Sequence, residues 1–252
     1  MSGETELTVV VLGCNGLIGA AVSAHLRESG HFVIGADLSD TPKNVTAKPL
    51  TTPNRYISLD VADDEQVQGF FASLRSDSSE VSAVINATYP TTPSFSDFPD
   101  NPGNVRDFVA LHLGSAINIG NTVCEMFRHR EKRGSLVNFS SIYSSFPPRF
   151  EIYEGTNMSN PIAYAASKAG IESATRFLAK KYRPHGIRVN ALAPGGIRNG
   201  QDSRFVEAYE AHAGVVGMLE PSDLLGVIEL LVSPSSPAIS GQIIRVDDGW
   251  TL

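Results

Sequence analysis

Short apolar runs alternate along the chain with longer amphipathic segments, and no other feature restricts the fold as strongly. The runs are rich in Val, Ile and Leu and are apolar at nearly every position, rather than at every second one. Strands of this kind are buried on both faces, which is typical of a parallel sheet covered by helices. We predict seven strands, in the segments ELTVVVLG, HFVIGAD, RYISLDV, VSAVINA, GSLVNFSS, GIRVNALAPG and GQIIRVDDG.

Helices are predicted between most of these strands. Because crossovers between parallel strands are right-handed, the alternation predicts an α/β fold with a single Rossmann-type, doubly wound parallel sheet and helices on both faces. The 252 residues contain no internal repeat and no linker, so we predict one domain over residues 1–252. The predicted helices cover Gly16–Ser29, Asp64–Arg75, Val105–Arg130, Ala163–Tyr182 and Pro221–Leu231.

Three long loops interrupt the alternation, at residues 88–104, 143–161 and 195–217. Each begins where a predicted strand ends, and in open α/β sheets ligands bind beyond the carboxyl ends of the strands. Loops of this length inside a compact domain are usually functional. We therefore predict that they form the walls and lid of a substrate pocket.

Composition and charge exclude several classes of protein. The net charge of −7 and the scattered Lys and Arg residues argue against nucleic acid as a partner. The longest apolar stretch, VVVLGCNGLIGAAV, is too short and too rich in glycine for a membrane span, and the start MSGETELT does not resemble a signal peptide. Two cysteines give no disulfide framework, and no motif indicates a metal site. A cytoplasmic setting is predicted.

A glycine-rich turn joins the first predicted strand to the first helix. Gly13, Gly16 and Gly19 permit a tight turn and let the backbone approach a pyrophosphate, which the helix N-terminus then binds. Asp37 ends the second strand, where a carboxylate accepts hydrogen bonds from an adenosine ribose. The turn contains no Arg or Lys, so we predict NAD rather than NADP. The alternative is a glycine turn that serves packing alone. The turn residues expected at the cofactor also include Asn15, Leu17 and Ile18.

Two further strand ends supply candidate cofactor contacts. Asp60 ends the third strand, where its carboxylate could receive the adenine amino group, with the backbone N–H of Val61 beside it. Capping of the following helix, by Asp60 or Asp63, is the alternative. Asn86 and Ala87 end the fourth strand and leave room for the cofactor, although Asn86 could instead bridge two strands.

The segment YAASK places Tyr164 and Lys168 one helical turn apart, on the same face of a helix. That pair alone is also compatible with an ordinary exposed helix face. However, YAASK is one of six motifs that follow one another over nearly the full chain. In order, these are the glycine turn, NAT, VNFSS, YAASK, VNALAPGGI and SGQIIRVDDG. In this order and spacing the chain resembles the short-chain dehydrogenase/reductase family.

The resemblance implies hydride transfer between NAD(H) and a secondary alcohol or ketone. Tyr164 matches the general acid/base of the family, and Lys168 matches the residue that stabilises its phenolate and binds the nicotinamide ribose. Ser141, rather than Ser140, matches the serine that binds the substrate oxygen. His112 stands where the family often has a proton-relay Asn, with a buried structural histidine as the alternative. The family's segment along the nicotinamide corresponds to Pro194, Gly195 and Ile197, with Asn199 in place of the usual Thr. Assembly as a homodimer or homotetramer is also implied.

The loop segments SSIYSSFPPRFEIYEGTNMSNP, LHLGSA and PGGIRNGQDSRFVEAY resemble oxidoreductases of flagellin-modification and nonulosonic-acid sugar pathways. That resemblance implies a sugar or sugar-phosphate substrate. Arg149, Arg198 and Arg204 could then clamp a phosphate, and Glu151 and Glu154 could accept sugar hydroxyls. The alternative for each is a solvated loop charge.

Two other functions remain open at this stage. The first is an NAD-using sugar epimerase or dehydratase, because Ser141 and Tyr164 are 23 residues apart, as in the extended branch of the family. That branch has a C-terminal substrate domain, for which 252 residues leave no room. The second is a non-catalytic NAD-binding regulator, although such proteins typically lose the Tyr or the Lys.

Overall fold

Seven parallel strands form one sheet in the order β3-β2-β1-β4-β5-β6-β7. The computed structural model describes residues 6–39, 53–76, 80–90 and 102–252. Each strand lies inside its predicted segment, and the order reverses between β1 and β4, so the doubly wound fold is confirmed. The strands are β1 (Thr8–Leu12), β2 (Phe32–Asp37), β3 (Arg55–Ser58), β4 (Val81–Asn86), β5 (Gly134–Phe139), β6 (Ile187–Pro194) and β7 (Ile243–Val246).

Helices cover both faces of this sheet, because alternate strand residues face opposite sides. Val10 and Leu12 pack in the core under α2, α4 and α5, whereas Val9 and Val11 pack in the core under α1 and α7. The helices are α1 (Leu17–Glu28), α2 (Asp64–Ser76), α3 (Pro102–Val109), α4 (Ser115–His129), α5 (Ile162–Tyr182), α6 (Ser203–Glu210) and α7 (Leu225–Val232). In the ranges given above, no helix has the length and apolar character needed to cross a membrane.

Three predicted elements differ from the structure. The predicted helix Val105–Arg130 is α3 and α4 joined by a π-helical turn at Ala110–Gly114, and that turn re-aims the side chains within it. The predicted helix Pro221–Leu231 is a 3₁₀ turn at Pro221–Leu224 followed by α7. Residues 91–101 of the first predicted loop lie outside the described residues.

The predicted loop 195–217 contains a helix, α6, and is therefore not entirely a loop. The Asp202 side chain caps α6 by accepting a hydrogen bond of 2.8 Å from the Arg204 N–H. Phe205 and Tyr209, one turn apart, bury the inner face of α6. The short polar segment hid this helix, because only two of its residues pack inward. The loop 143–161 has short 3₁₀ turns at Ile142–Ser144 and Phe150–Tyr153.

Candidate active site

The glycine turn is fixed by contacts with the ends of two strands. Gly13 has a φ of 77° and donates a hydrogen bond of 2.8 Å to the Ala36 carbonyl. A Cβ atom on Gly13 would lie 2.7 Å from the carbonyl oxygen of Ala87, and one on Gly19 would lie 2.0 Å from the Gly13 carbonyl oxygen. Packing therefore explains why these two positions are glycine.

Packing does not explain the open start of α1. Gly16 is its N-cap and offers no side-chain cap, and the first turn contains no acidic residue. The N–H groups of Leu17, Ile18 and Gly19 have no acceptor within the helix, since they belong to its first turn. Three uncapped donors at the positive end of a helix dipole form a site suited to a phosphate group. The turn therefore fits the pyrophosphate of a dinucleotide.

The carboxylate of Asp37 lies beside this turn. Its Oδ2 accepts a hydrogen bond of 2.9 Å from the Asn15 N–H, and its Oδ1 accepts one of 3.4 Å from the Ser39 N–H. The buried Asn15 side chain donates to the Ser39 carbonyl. These contacts join the carboxyl end of β2 to the glycine turn, where the sequence predicted the adenosine ribose. Residues 40–52, which follow, lie outside the described residues.

The candidate contacts after β3 and β4 have different local roles. Asp63, not Asp60, caps α2, because its Oδ1 accepts hydrogen bonds from the N–H groups of Glu65 and Gln66 at 2.9 and 3.0 Å. Asp60 Oδ1 accepts from the Ala62 N–H at 2.9 Å, in a short turn that includes Val61.

At the end of β4, the Asn86 side-chain oxygen accepts a hydrogen bond of 2.7 Å from the Thr88 hydroxyl. It also accepts a longer one, of 3.4 Å, from the Thr88 N–H. Asn86 thus stabilises the turn that leaves β4. Because Gly13 lies against the Ala87 carbonyl, this turn and the glycine turn are in direct contact.

The two serines after β5 are in different environments. The Ser140 hydroxyl is buried and donates to Glu172 at 3.0 Å and to the Lys168 carbonyl at 3.3 Å, so it holds β5 against α5. The Ser141 hydroxyl accepts from the Tyr143 N–H at 3.2 Å and is hydrogen-bonded to Tyr164. Ser141, and not Ser140, thus lies at the tyrosine hydroxyl.

Tyr164 and Lys168 lie on the first turns of α5. Lys168 is buried, and its Nζ donates a hydrogen bond of 2.9 Å to the Phe139 carbonyl at the end of β5. The same Nζ lies 5.6 Å from the centre of the Tyr164 ring. Burial lowers the pKa of Lys168 to about 8. Burial also raises the pKa of Tyr164, and the hydrogen bond from Ser141 opposes that rise.

His112 lies in the π-helical turn and is almost fully buried. Its ring stacks on Phe108 with centroids 3.9 Å apart and meets the edge of Tyr89 at 4.7 Å. Burial, first, and the charge of Lys168, second, lower the pKa of His112 to about 4, while a hydrogen bond to the Pro90 backbone acts in the other direction.

The hydrogen bonding of His112 fixes its tautomer. A proline backbone offers only a carbonyl, so the imidazole donates to Pro90. Its Nε2 is buried and has no hydrogen-bond partner among the described residues, so Nδ1 is the donor and Nε2 is the unprotonated acceptor. A neutral imidazole thus presents a free acceptor close to Lys168.

Tyr89 is a site residue that sequence reasoning missed. Its ring lies between those of His112 and Tyr164, at 4.7 and 6.2 Å, and the Lys168 Nζ lies 5.8 Å from its centre. Burial raises the pKa of its hydroxyl, with a smaller contribution from Tyr164. The one available signal was an aromatic residue directly after the strand end NAT.

Hydrogen bonds to β7 and to α6 hold the segment that follows β6. Pro194 ends β6, and the next N–H, from Gly195, donates to the Val246 carbonyl at 2.8 Å. The Gly196 N–H donates to the Tyr209 hydroxyl on α6 at 2.7 Å. Ile197 forms an isolated bridge with Leu219, and the Asn199 N–H donates to the Gln201 side chain at 2.7 Å.

The charged residues predicted at the substrate fall into two groups. Arg198 is paired with Glu210, and its Nε lies 3.6 Å from a Glu220 oxygen, so its charge is already compensated. Arg149 instead stacks over Trp250, with its guanidinium carbon 5.3 Å from the ring centre. Arg204 is exposed on the first turn of α6. Glu151 and Glu154 are exposed.

Aromatic residues from three segments form a wall beside Tyr164, and sequence reasoning missed it. The Tyr143 and Tyr153 hydroxyls are 3.0 Å apart. Trp250, near the C-terminus, stacks on Tyr209 with centroids 5.1 Å apart and meets the edge of Tyr143 at 5.9 Å. No local pattern reveals this wall, since its members are adjacent only after folding.

A dinucleotide-type turn and a Ser–Tyr–Lys set at the carboxyl edge of a doubly wound sheet define an oxidoreductase-type Rossmann site. A family model described as Enoyl-(Acyl carrier protein) reductase matches residues 15–251. The chain belongs to the short-chain dehydrogenase/reductase family and is an oxidoreductase of that family. In the described ranges, His, Cys, Asp and Glu nowhere form a group of three that would bind a metal ion.

The chain is similar over nearly its whole length to several known proteins. It is 29% identical over 251 residues to post-translational flagellin modification protein A of Campylobacter coli, covering 97% of this chain and 98% of that protein. It is 29% identical over 253 residues to 2-dehydro-3-deoxy-D-gluconate 5-dehydrogenase of Escherichia coli, with 96% and 94% covered. A crystal structure of a short chain dehydrogenase from Leptospira borgpetersenii with bound NAD+ has a TM-score of 0.84 at 27% identity, covering 99% of this chain and 94% of that one.

Proposed function

We propose that this protein is an NAD-dependent dehydrogenase/reductase that interconverts a secondary alcohol and a ketone on a sugar or sugar-phosphate substrate. The observation that carries the proposal is the hydrogen bond between Ser141 and Tyr164, with the Lys168 ammonium beside the same ring. This set can bind a carbonyl or hydroxyl oxygen and move its proton.

Each residue of the set has a separate task in that proton transfer. Tyr164 takes the proton of the substrate hydroxyl in oxidation and returns it in reduction. Because burial raises the pKa of Tyr164, the phenolate needs a nearby positive charge, and Lys168 supplies it. Ser141 orients the substrate oxygen at the tyrosine. The nicotinamide, when bound, supplies the hydride acceptor or donor.

We also propose that His112 relays protons to this set. Its Nε2 is a buried acceptor without a described partner, and its low pKa keeps it neutral near neutrality, so it can accept a hydrogen bond from a water molecule. The charge of Lys168 acts on the same ring. The stacked packing against Phe108 also gives His112 a structural role.

The preference for NAD rests on Asp37. Its carboxylate is fixed beside the glycine turn by the Asn15 N–H, where it would accept the ribose hydroxyls and repel a 2′-phosphate. The related Leptospira enzyme has bound NAD+. The same proposal includes the remaining cofactor contacts, which come from Asp60, Val61, Asn86, Ala87, Pro194, Gly195, Ile197 and Asn199. Titration with NADH and NADPH tests it, and tighter binding of NADPH would contradict the role of Asp37.

A polar, sugar-like substrate is supported by the loops and by the relatives. Arg149, which stacks on Trp250, and Arg204 have guanidinium groups that can bind a phosphate. Glu151 and Glu154 have carboxylates that can accept hydrogen bonds from sugar hydroxyls. Arg198 is the weakest of these candidates, since two glutamates compensate its charge. One relative takes part in flagellin modification, and another is named for a deoxy-sugar acid.

A substrate screen tests the reaction. Purified protein is mixed with NAD or NADH and with sugar phosphates, nucleotide sugars, sugar acids and simple alcohols or ketones, and the absorbance of the reduced nicotinamide is followed. Turnover of one sugar class supports the proposal. Conversion of a sugar without net NADH formation would indicate the epimerase or dehydratase instead. NAD binding without any conversion would indicate the regulator.

We propose a homodimer or homotetramer built through α4 and α5. An apolar groove of about 340 Å³ lies between these helices and is lined by residues that include Leu113, Ile117 and Phe177. Phe177 is 66% exposed and Ile117 is 40% exposed, and together with Leu113 they form a contiguous apolar patch of the kind that protein–protein interfaces cover. Light scattering of a Phe177→Ser variant tests this, with a monomer as the expected result.

We place the protein in the cytoplasm. Cys14 and Cys124 are free thiols in the structure, as expected in a reducing compartment. Burial raises the pKa of each to about 12, so both are unreactive.

A further inference from the structure

A second cavity lies at the opposite edge of the sheet from the proposed active site. Its volume is about 500 Å³, within the range of small-molecule sites. It opens where β5 and β6 begin, whereas Ser141 follows the end of β5. The six residues of β5 separate the two sites by roughly 20 Å. Its lining includes Leu7, Ser82, Arg133, Gly134, Ser135, Arg183, Arg188, Val232 and Ser240.

Three arginines line this cavity in a chain whose net charge is −7. Arg133 and Arg183 are exposed and form no ion pair within the part of the chain that the structure describes. The Arg133 side chain passes over Gly186, whose Cβ position would lie 3.0 Å from it. No Asp or Glu is among the described residues that line the cavity. The cavity therefore has a local positive charge without a described counter-charge.

Arg188 forms the inner part of this charge. It is half-buried on β6, and its guanidinium donates to the Ser233 carbonyl at 2.9 Å and to the Ile239 carbonyl at 3.4 Å. These carbonyls orient the group but do not neutralise it. A partly buried charge without a counter-ion is costly, and burial accordingly lowers the pKa of Arg188. An anion in the cavity would remove that cost.

Helix ends explain only part of this arrangement. Cations are favourable near helix C-termini, which accounts for Arg183 directly after α5 and for Arg133 soon after α4. The preference for cations at helix ends does not account for Arg188, which lies on a strand, or for a cavity between the three side chains.

We propose that this cavity binds a small phosphate-bearing metabolite or free phosphate. Guanidinium groups match phosphate oxygens with paired hydrogen bonds, and Arg133, Arg183 and Arg188 approach the cavity from three segments. The Ser240 hydroxyl, which accepts a hydrogen bond of 3.4 Å from the Val189 N–H, can donate to the same ligand. This site does not depend on hydride transfer.

The test is calorimetric titration of inorganic phosphate into NADH-saturated protein at constant ionic strength. NADH fills the glycine turn, which would otherwise bind phosphate itself. We expect one phosphate per chain in the cavity, in addition to any phosphate that the proposed substrate arginines Arg149 and Arg204 bind. The double variant Arg133→Gln/Arg183→Gln should weaken binding at least about tenfold, since it removes two charge-assisted contacts. Arg149→Gln/Arg204→Gln, which removes the arginines proposed at the substrate, should retain the cavity site with less than about a twofold change in its affinity. Glycerol 3-phosphate in place of phosphate distinguishes an ester from the free ion.

Three results would overturn the proposal: no saturable phosphate site, unchanged affinity in Arg133→Gln/Arg183→Gln, or affinity lost only in Arg149→Gln/Arg204→Gln. Both arginines of the first pair are exposed, so their replacement leaves the core intact, and Arg188 is kept because it ties β6 to residues 233 and 239. If NADH does not bind, the proposed cofactor fails, and the same comparison without NADH still decides the cavity.

Discussion

The proposed cofactor half and the proposed substrate half of the site are built in different ways. On the cofactor side, a single segment from β1 to β2 supplies the turn, the helix start and Asp37. On the proposed substrate side, the wall combines Tyr143 and Tyr153 of one loop with Tyr209 of α6 and Trp250 near the C-terminus. Backbone geometry therefore dictates residue identity on the first side, and side-chain packing between distant segments dictates it on the second. The Ser–Tyr–Lys set lies between them.

The largest effect is expected where the two halves meet. Lys168→Ala removes the charge beside Tyr164, whose pKa burial already raises, so kcat should fall about 10²–10⁴-fold. The remaining activity should need a more alkaline pH. Lys180→Ala, on the exposed end of the same helix, is the control and should keep full turnover. Equal effects of the two variants would remove Lys168 from the mechanism.

The next largest effect is expected at Gly13, where the backbone conformation of the glycine turn requires a glycine. Gly13→Ala places a Cβ 2.7 Å from the Ala87 carbonyl at a φ of 77°, so we expect a loss of several kcal/mol of stability, about 1–3 from the φ strain alone, and weaker NADH binding. Gly30→Ala has a φ of 86° and open space around it, so it should lose only the part due to φ strain, about 1–3 kcal/mol. Urea unfolding and NADH titration measure both. A Gly13→Ala protein that behaves like Gly30→Ala would show that the close contact is unimportant.

A pH effect of intermediate size comes from His112. Its pKa is lowered to about 4 in the fold, against about 6.5 in an unfolded chain, so the unfolded state binds more protons between these values. Stability should therefore rise with pH over that window and fall, by up to roughly 3 kcal/mol, as the solution is acidified. His112→Gln should flatten this dependence. His212→Gln, at an exposed position after α6, is the control and should leave it unchanged. A parallel slope in wild type and His112→Gln would contradict the buried neutral imidazole.

The smallest effect is expected at the arginines that are proposed to bind the substrate. Arg149→Gln should raise KM for a phosphorylated substrate about tenfold with little change in kcat, because it removes a charged contact from the pocket wall. Arg198→Gln should raise KM much less, since Glu210 and Glu220 already compensate that charge. Steady-state kinetics on both variants decide between them. The opposite ranking would make Arg198 the phosphate contact.

The contrast between the halves also explains what the sequence could predict. The strands followed from apolar runs, most helices from the amphipathic segments between them, and the Gly13 turn from the backbone geometry that it requires. The π-helical turn at 110–114 was hidden, because it interrupts a pattern that is helical on both sides. Helix α6 was hidden by its polar surface. Tyr89 has only one local signal, its place directly after NAT, and Trp250 has none, since their contacts with Tyr164 and Tyr209 arise only in the folded chain.

The proposed function requires Tyr164 to transfer the substrate proton in an NAD-dependent reaction. Its most direct test compares wild type with Tyr164→Phe in two assays on the same preparations: NADH binding, and turnover of the sugar substrate that the screen selects. We predict unchanged NADH binding and a fall in turnover of at least about 10²-fold, since the ring is kept and only the hydroxyl is lost. Full turnover in Tyr164→Phe, with NADH still bound, would contradict it.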